Sequence, residues 1–272
     1  MIKKFILLLV FLGTQLLIWA QRPLSIEVLR PKVDSVKELA KQLSTQLRIV
    51  ETLEQIADQR DLEVLNHLVY RNKQSDTLIG LLLDSANKIV LECHFNNSDS
   101  IALYCSSKGR SISKKERNHQ NAVLAFKEEI LKPKYEITLP DYAFLEYLMF
   151  TDFNTHRFHL LNLPKKDSII PLGNDYIFSY TQDAKLSYWE KIGKAYKISI
   201  KKEDNVNENI EAIWLQKGPS AAVPPAEDLL KLRKYYRNIM LDKYIFLCNK
   251  REFNYQADKN EISIKLFPIE TR

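Results

Sequence analysis

The sequence predicts an α+β fold: an N-terminal helical segment, then a mixed, mostly antiparallel sheet with packed helices. Three observations carry this. Apolar residues recur at helical intervals between Val36 and Ile56, and apolar runs of strand length separated by turn residues follow from Lys88 onward. Helix-start signals then reappear further on, first at Ser113.

Taken in order, Ser35 followed by Glu38 has capping-box spacing and is read as a helix start. Val36, Leu39, Ala40, Leu43, Leu47, Val50, Leu53 and Ile56 then form one stripe, and Leu62 through Val69 is read as a second helical stretch. Periodicity does not assign Leu78–Leu83. Lys88–Phe95 and Ser100–Cys105 flank Asn96-Asn97-Ser98-Asp99, a hairpin signal that would set Cys93 opposite Cys105. A cross-strand disulfide and a pair of reduced buried thiols are both compatible with that spacing. Cys248 is read as an apolar strand residue.

Ser113-Lys-Lys-Glu116 opens a helix to about Leu131, with Val123, Leu124, Phe126 and Ile130 inward and Pro133 beyond its end. Tyr135–Leu139 is expected as strand, and Pro140-Asp141 as the start of a short helix carrying Phe144, Leu145, Leu148 and Phe150. Strands are expected at Arg157–Leu163, Asp175–Thr181, Ala195–Ile200 and Ile210–Leu215. A helix to about Met240 and strands at Lys243–Cys248, Glu252–Tyr255 and Glu261–Leu266 complete the chain.

Residues 1–20 read as a signal peptide: Lys3 and Lys4, an apolar core from Phe5, and the small Ala20 before Gln21. That stretch falls short of the roughly 20 apolar residues a full span needs, and no second run is long enough. The expected location is therefore periplasmic or extracellular, with no stable membrane span after cleavage. Domain organisation follows as 1–20 signal, 21–110 helical segment with a β-hairpin, and 111–272 α+β domain.

Removing residues 1–20 leaves 38 basic against 34 acidic residues, a net charge of +4. The charge is well mixed, and Lys114-Lys115 and Lys231-Leu232-Arg233-Lys234 read as solvated helix faces, so no nucleic-acid partner is expected.

His156 and His159 are the closely spaced histidines, but on a strand their side chains point to opposite faces, which argues against a shared metal. His67, His94 and His119 stand alone. No zinc-protease helix, nucleophile elbow, phosphate-cradling loop or calcium loop is present. The residues therefore assign no catalytic group, metal or cofactor, and leave the oligomeric state open.

One segment resembles a known family. Glu211-Ala-Ile-Trp-Leu-Gln-Lys-Gly-Pro-Ser220, followed by Ala221 to Asp228 and Leu229-Leu230, is similar to the site region of JAMM/MPN metalloproteases. There a strand ends in His-x-His-Pro and a Ser-x-x-Asp opens the next helix. The histidines and aspartate hold zinc, and an upstream glutamate activates water. Gln216 and Gly218 fall at the two histidine positions and Pro225 at the serine, so Asp228 alone matches. No upstream glutamate stands out between Leu163 and Tyr188. The resemblance implies a domain that has lost its zinc, since a catalytic site needs about three protein ligands.

Two functions follow as expectations. One is a non-enzymatic exported protein that binds a protein or peptide partner. The other is a secreted or periplasmic hydrolase drawing on Asp228, Glu227, His156 or His159.

Overall fold

The computed structural model describes residues 25–72, 77–96, 101–151, 155–166, 169–199, 210–214, 222–239, 243–248 and 251–266. Residues 1–20, read above as a signal peptide, lie outside them. The protein is α+β: the described residues open with a long helix and continue in mostly antiparallel sheets with two further α-helices.

Helix α1 (Ile26–Gln59) is capped by Ser25, whose hydroxyl accepts from Val28 N at 3.4 Å. It starts a full ten residues before the expected Ser35. Ser35 instead sits inside the helix and donates to the Pro31 carbonyl at 2.9 Å. The apolar stripe is as read from the sequence: Leu43, Leu47, Val50 and Leu53 are fully covered. Leu62 onward is not helical, because β1 (Asn66–Asn72) pairs antiparallel with β2 (Thr77–Leu83). With β3 (Ile89–Asn96) and β4 (Ala102–Ser106) these make a four-stranded sheet in chain order.

Strands β1–β3 of this sheet are covered on both sides, while β4 is exposed. Val69, Leu78, Leu82, Leu91, Cys93 and Phe95 join the α1 stripe in one core. Gly80 marks a close approach, since a Cβ there would lie 2.7 Å from Leu53 Cδ1. Leu68, Tyr70, Ile79, Leu81 and Leu83 join a second core under helix α2 (Lys114–Glu129). The hairpin reading holds: Cys93 and Cys105 are register partners and are bonded as a disulfide, while Cys248 is buried and free.

Helix α2 begins at the expected capping box, with Ser113 and Glu116 satisfying each other's backbone N–H. Val123 and Phe126 point inward, but Leu124 is 40% exposed and belongs to the solvent side. The expected strand at Tyr135–Leu139 is instead a 3-10 turn, Pro133–Tyr135, followed by irregular chain with Glu136 at φ 49°.

The second large sheet is built from β5 (Ala143–Thr151), β6 (Thr155–Pro164), β8 (Asp175–Thr181) and β9 (Leu186–Ile192) in the order β5-β6-β8-β9, while β7 (Ile169–Leu172) pairs with β10 (Tyr196–Ser199). The helix expected after Pro140 is thus strand β5. Its Leu148 and Met149 are both covered, one in each core, so the alternation that marks a half-exposed strand is missing. Phe158 of this sheet stacks on Phe126 of α2, 4.4 Å between centroids and 2° between planes.

The two large sheets meet where β1 passes β5. His67 donates through Nε2 to the Tyr147 carbonyl at 3.3 Å, and the Tyr147 hydroxyl returns a bond to the His67 carbonyl at 3.2 Å. Their rings stack 4.4 Å apart.

Strand β11 (Ile210–Trp214) runs parallel to β12 (Lys243–Cys248), with helix α3 (Ala226–Ile239) between them in sequence; β13 (Arg251–Gln256) and β14 (Glu261–Leu266) continue the sheet antiparallel. Helix α3 packs on α1 and is tied to it by Lys234, whose ammonium lies 2.6 Å from Glu51. No helix among the described residues is long and apolar enough to cross a membrane.

Candidate functional site

Strand β6 distributes its two histidines to opposite faces, as a three-residue separation on a strand requires. His156 faces α2, where its ring lies 5.1 Å from that of His119. His159 faces α3 and donates through Nδ1 to Glu227 Oε1 at 2.8 Å. The sequence reading thus separates them correctly. Both are buried, however, rather than ordinary polar strand residues.

Glu227 and Asp228 occupy the first turn of α3, where the helix dipole favours negative charge. One turn on, Lys231 projects into the same interior. Its ammonium sits 2.6 Å from Asp175 Oδ2 and 3.4 Å from Asp228 Oδ1. Each carboxylate also accepts a backbone N–H, from Asn162 at 2.8 Å for Asp175 and from Gly173 at 2.8 Å for Asp228. The expectation that Lys231 belongs to a solvated face is overturned. Its neighbours Leu229, Leu230 and Leu232 are all covered, and the ammonium follows them inward because two carboxylates await it.

The electrostatics follow from this placement. Burial pushes Asp175 and Asp228 upward, and the shared ammonium pulls both back only in part. Burial disfavours the Lys231 charge, yet the two aspartates more than offset it and hold the amine above its ordinary range. Burial also raises Glu227, but the bond from His159, that ring's charge, a backbone N–H and the Lys231 ammonium together outweigh it and keep the carboxyl below its usual value.

Gly173 is fixed by this arrangement. It has φ +61°, and an added Cβ would fall 2.1 Å from the Lys194 carbonyl oxygen. Gly173→Ala is expected to cost about 2–3 kcal/mol through left-handed strain and overpacking, read as a lower urea midpoint. Because the Gly173 N–H holds Asp228, the variant also loosens the α3 contact.

Chemically, a histidine bonded to a carboxylate through Nδ1 and free at Nε2 has the orientation of a general base. No described hydroxyl or thiol bonds that Nε2, and the two side chains are only 1% and 3% exposed. The group therefore docks α3 on the sheet. Gln216 and Gly218 lie outside the described residues, while Asp228 is committed to Gly173 and Lys231. Among the described residues, no three His, Cys, Asp or Glu side chains converge as a metal site.

A cleft of about 420 Å³ opens between Lys37 of α1 and the β12–β14 strands, lined by Lys243, Tyr255, Gln256, Glu261 and Ser263 among others. None of the α3 network residues borders it. The sequence reading missed Asp175, Lys231 and Gly173. A lysine one turn after Asp228, flanked by leucines on the apolar side of a helix, is the signal that could have found the network. Comparison with protein-family models, with curated proteins and with solved structures finds no match to this chain.

Proposed function

We propose that this chain is an exported, non-enzymatic binding protein that engages a protein or peptide partner in the cell envelope or outside the cell. The observation that carries the reading is strand β4. Among the described residues it pairs only with β3, and Ile101, Leu103 and Tyr104 beside and within it are each 61% exposed. No charged residue interrupts Ile101–Ser107. Edge strands usually carry charge or proline to prevent pairing, so an uncharged apolar edge suits an added strand. The network at α3 supports the same reading, since it places the most reactive side chains out of substrate reach.

A degenerate MPN-like C-terminal half is part of this proposal. Strand β11, helix α3 with Asp228 in its first turn, and strands β12–β14 follow the order that the resemblance implies. The hydrolase reading keeps one observation in its favour, the His159–Glu227 pair.

The test uses the native host. A photo-cross-linking amino acid in place of Leu103 is expected to give a discrete protein adduct that the same group in place of the exposed Lys41 does not. Identical adducts at both positions overturn the β4 reading. Mass analysis of the exported fraction is expected to find Gln21 at the N-terminus; protein retained inside the cell with Met1 intact overturns export.

A further inference from the structure

Four hydrogen-bonding atoms without a partner lie in the α2-facing core: Nδ1 and Nε2 of His119, Nε2 of His156 and the hydroxyl of Tyr180. The three side chains come from α2, β6 and β8. His156 and Tyr180 are register partners on adjacent strands, and the His119 ring lies 5.1 Å from His156 at 85°. His119 and His156 are only 4% and 3% exposed. Each buried polar atom left unpaired costs about 1–3 kcal/mol, so the cluster is expensive unless something occupies it.

We propose that His119 and His156 together bind one divalent d-block cation, zinc or its neighbours. Neutral imidazoles are the protein ligands that suit these ions best. The spacing fits. With metal–nitrogen bonds of about 2 Å and a tetrahedral angle, two imidazole centroids stand roughly 5 Å apart. The surroundings of His156 fit as well: its Nδ1 faces Thr151 Oγ1 at 3.5 Å, an outer contact of the kind that orients a ligating ring and leaves Nε2 for the metal.

Charge balance is available nearby. Glu116 lies one helical turn before His119 on α2, close enough to act on it electrostatically, and is itself held by Arg110 at 2.7 Å and Tyr70 at 2.8 Å. Among the described residues no third His, Cys, Asp or Glu completes the set. Water thus supplies the remaining ligands. The location is independent of the MPN resemblance, because Asp228 belongs to the opposite face of β6.

The test is metal retention by the purified full chain, stripped with chelator and dialysed against zinc. One zinc per chain is expected, with His119→Gln and His156→Gln each binding roughly tenfold or more weakly, the scale on which disturbing a metal site is felt. His94→Gln, a partly exposed histidine elsewhere, should retain the ion. Copper(II) bound to the unaltered chain gives a readout that needs no variant: its electron paramagnetic resonance should show coupling to two imidazole nitrogens. Loss of all zinc from the unaltered chain overturns the proposal and leaves water as the occupant. Full retention in both glutamine variants, or copper coupled to fewer than two imidazoles, overturns it by placing the ion elsewhere.

Discussion

Lys231→Met is expected to lower the stability of the fold by about 3–5 kcal/mol, seen as a lower urea midpoint with an unchanged slope. Methionine matches lysine in length and suits the apolar neighbours, so packing is largely kept. What is lost is the counter-charge. Neither Lys231 nor Asp175 exposes any side-chain surface, and Asp228 is almost as deep. Without the ammonium, two carboxylates share a water-free volume and one or both must take up a proton. Adding Asp175→Asn and Asp228→Asn to Lys231→Met should recover much of the loss, because an uncharged set removes the uncompensated burial. A loss under about 1 kcal/mol for the single change would mean that water reaches the network.

The junction of the two large sheets should reveal two opposing pH dependences that mask each other in the unaltered protein. Burial pushes His67 down from 6.5 to about 4, so its contribution is complete above 6.5 and is lost as pH falls towards 4. Burial, reinforced by Glu54, pushes Glu146 up from 4.5 to about 7, so its contribution is present below 4.5 and is lost as pH rises towards 7. Each displacement corresponds to about 3 kcal/mol. Glu146→Gln keeps an oxygen for the Tyr147 N–H, removes the carboxyl's titration, and should steepen acid destabilisation by about that amount between pH 6.5 and pH 4. His67→Gln should do the reverse, destabilising the fold increasingly from pH 4.5 to pH 7. Parallel profiles of urea midpoint against pH for both variants and the unaltered chain would refute this account.

Legibility in the sequence tracked how local each determinant was. The α2 capping box lies within four residues, and both of its bonds are made where the spacing places them. The Cys93–Cys105 pairing depends on one hairpin and was equally accessible, although oxidation was only one of two open outcomes. Ser35-Glu38 satisfied the same local rule yet failed, because a helix start also requires that nothing upstream continue the helix, and Ser25 supplies an earlier cap. Strand β5 was misread because sheets covered on both faces lose their alternation, and Phe144, Leu145 and Leu148 then imitate helical spacing. Contacts between distant segments were beyond reach: Asp175 meets Lys231 across 56 residues, and nothing near His156 points to His119.

The Glu51–Lys234 tie spans 183 positions of the chain. The first described helix is therefore tied to the last. As residues emerge in order, the apolar stripe of α1 waits for α3 while 183 further residues are made, roughly 10–40 s at ordinary elongation rates. During that interval an amphipathic helix is present without its final cover, and closure depends on a contact of very long range.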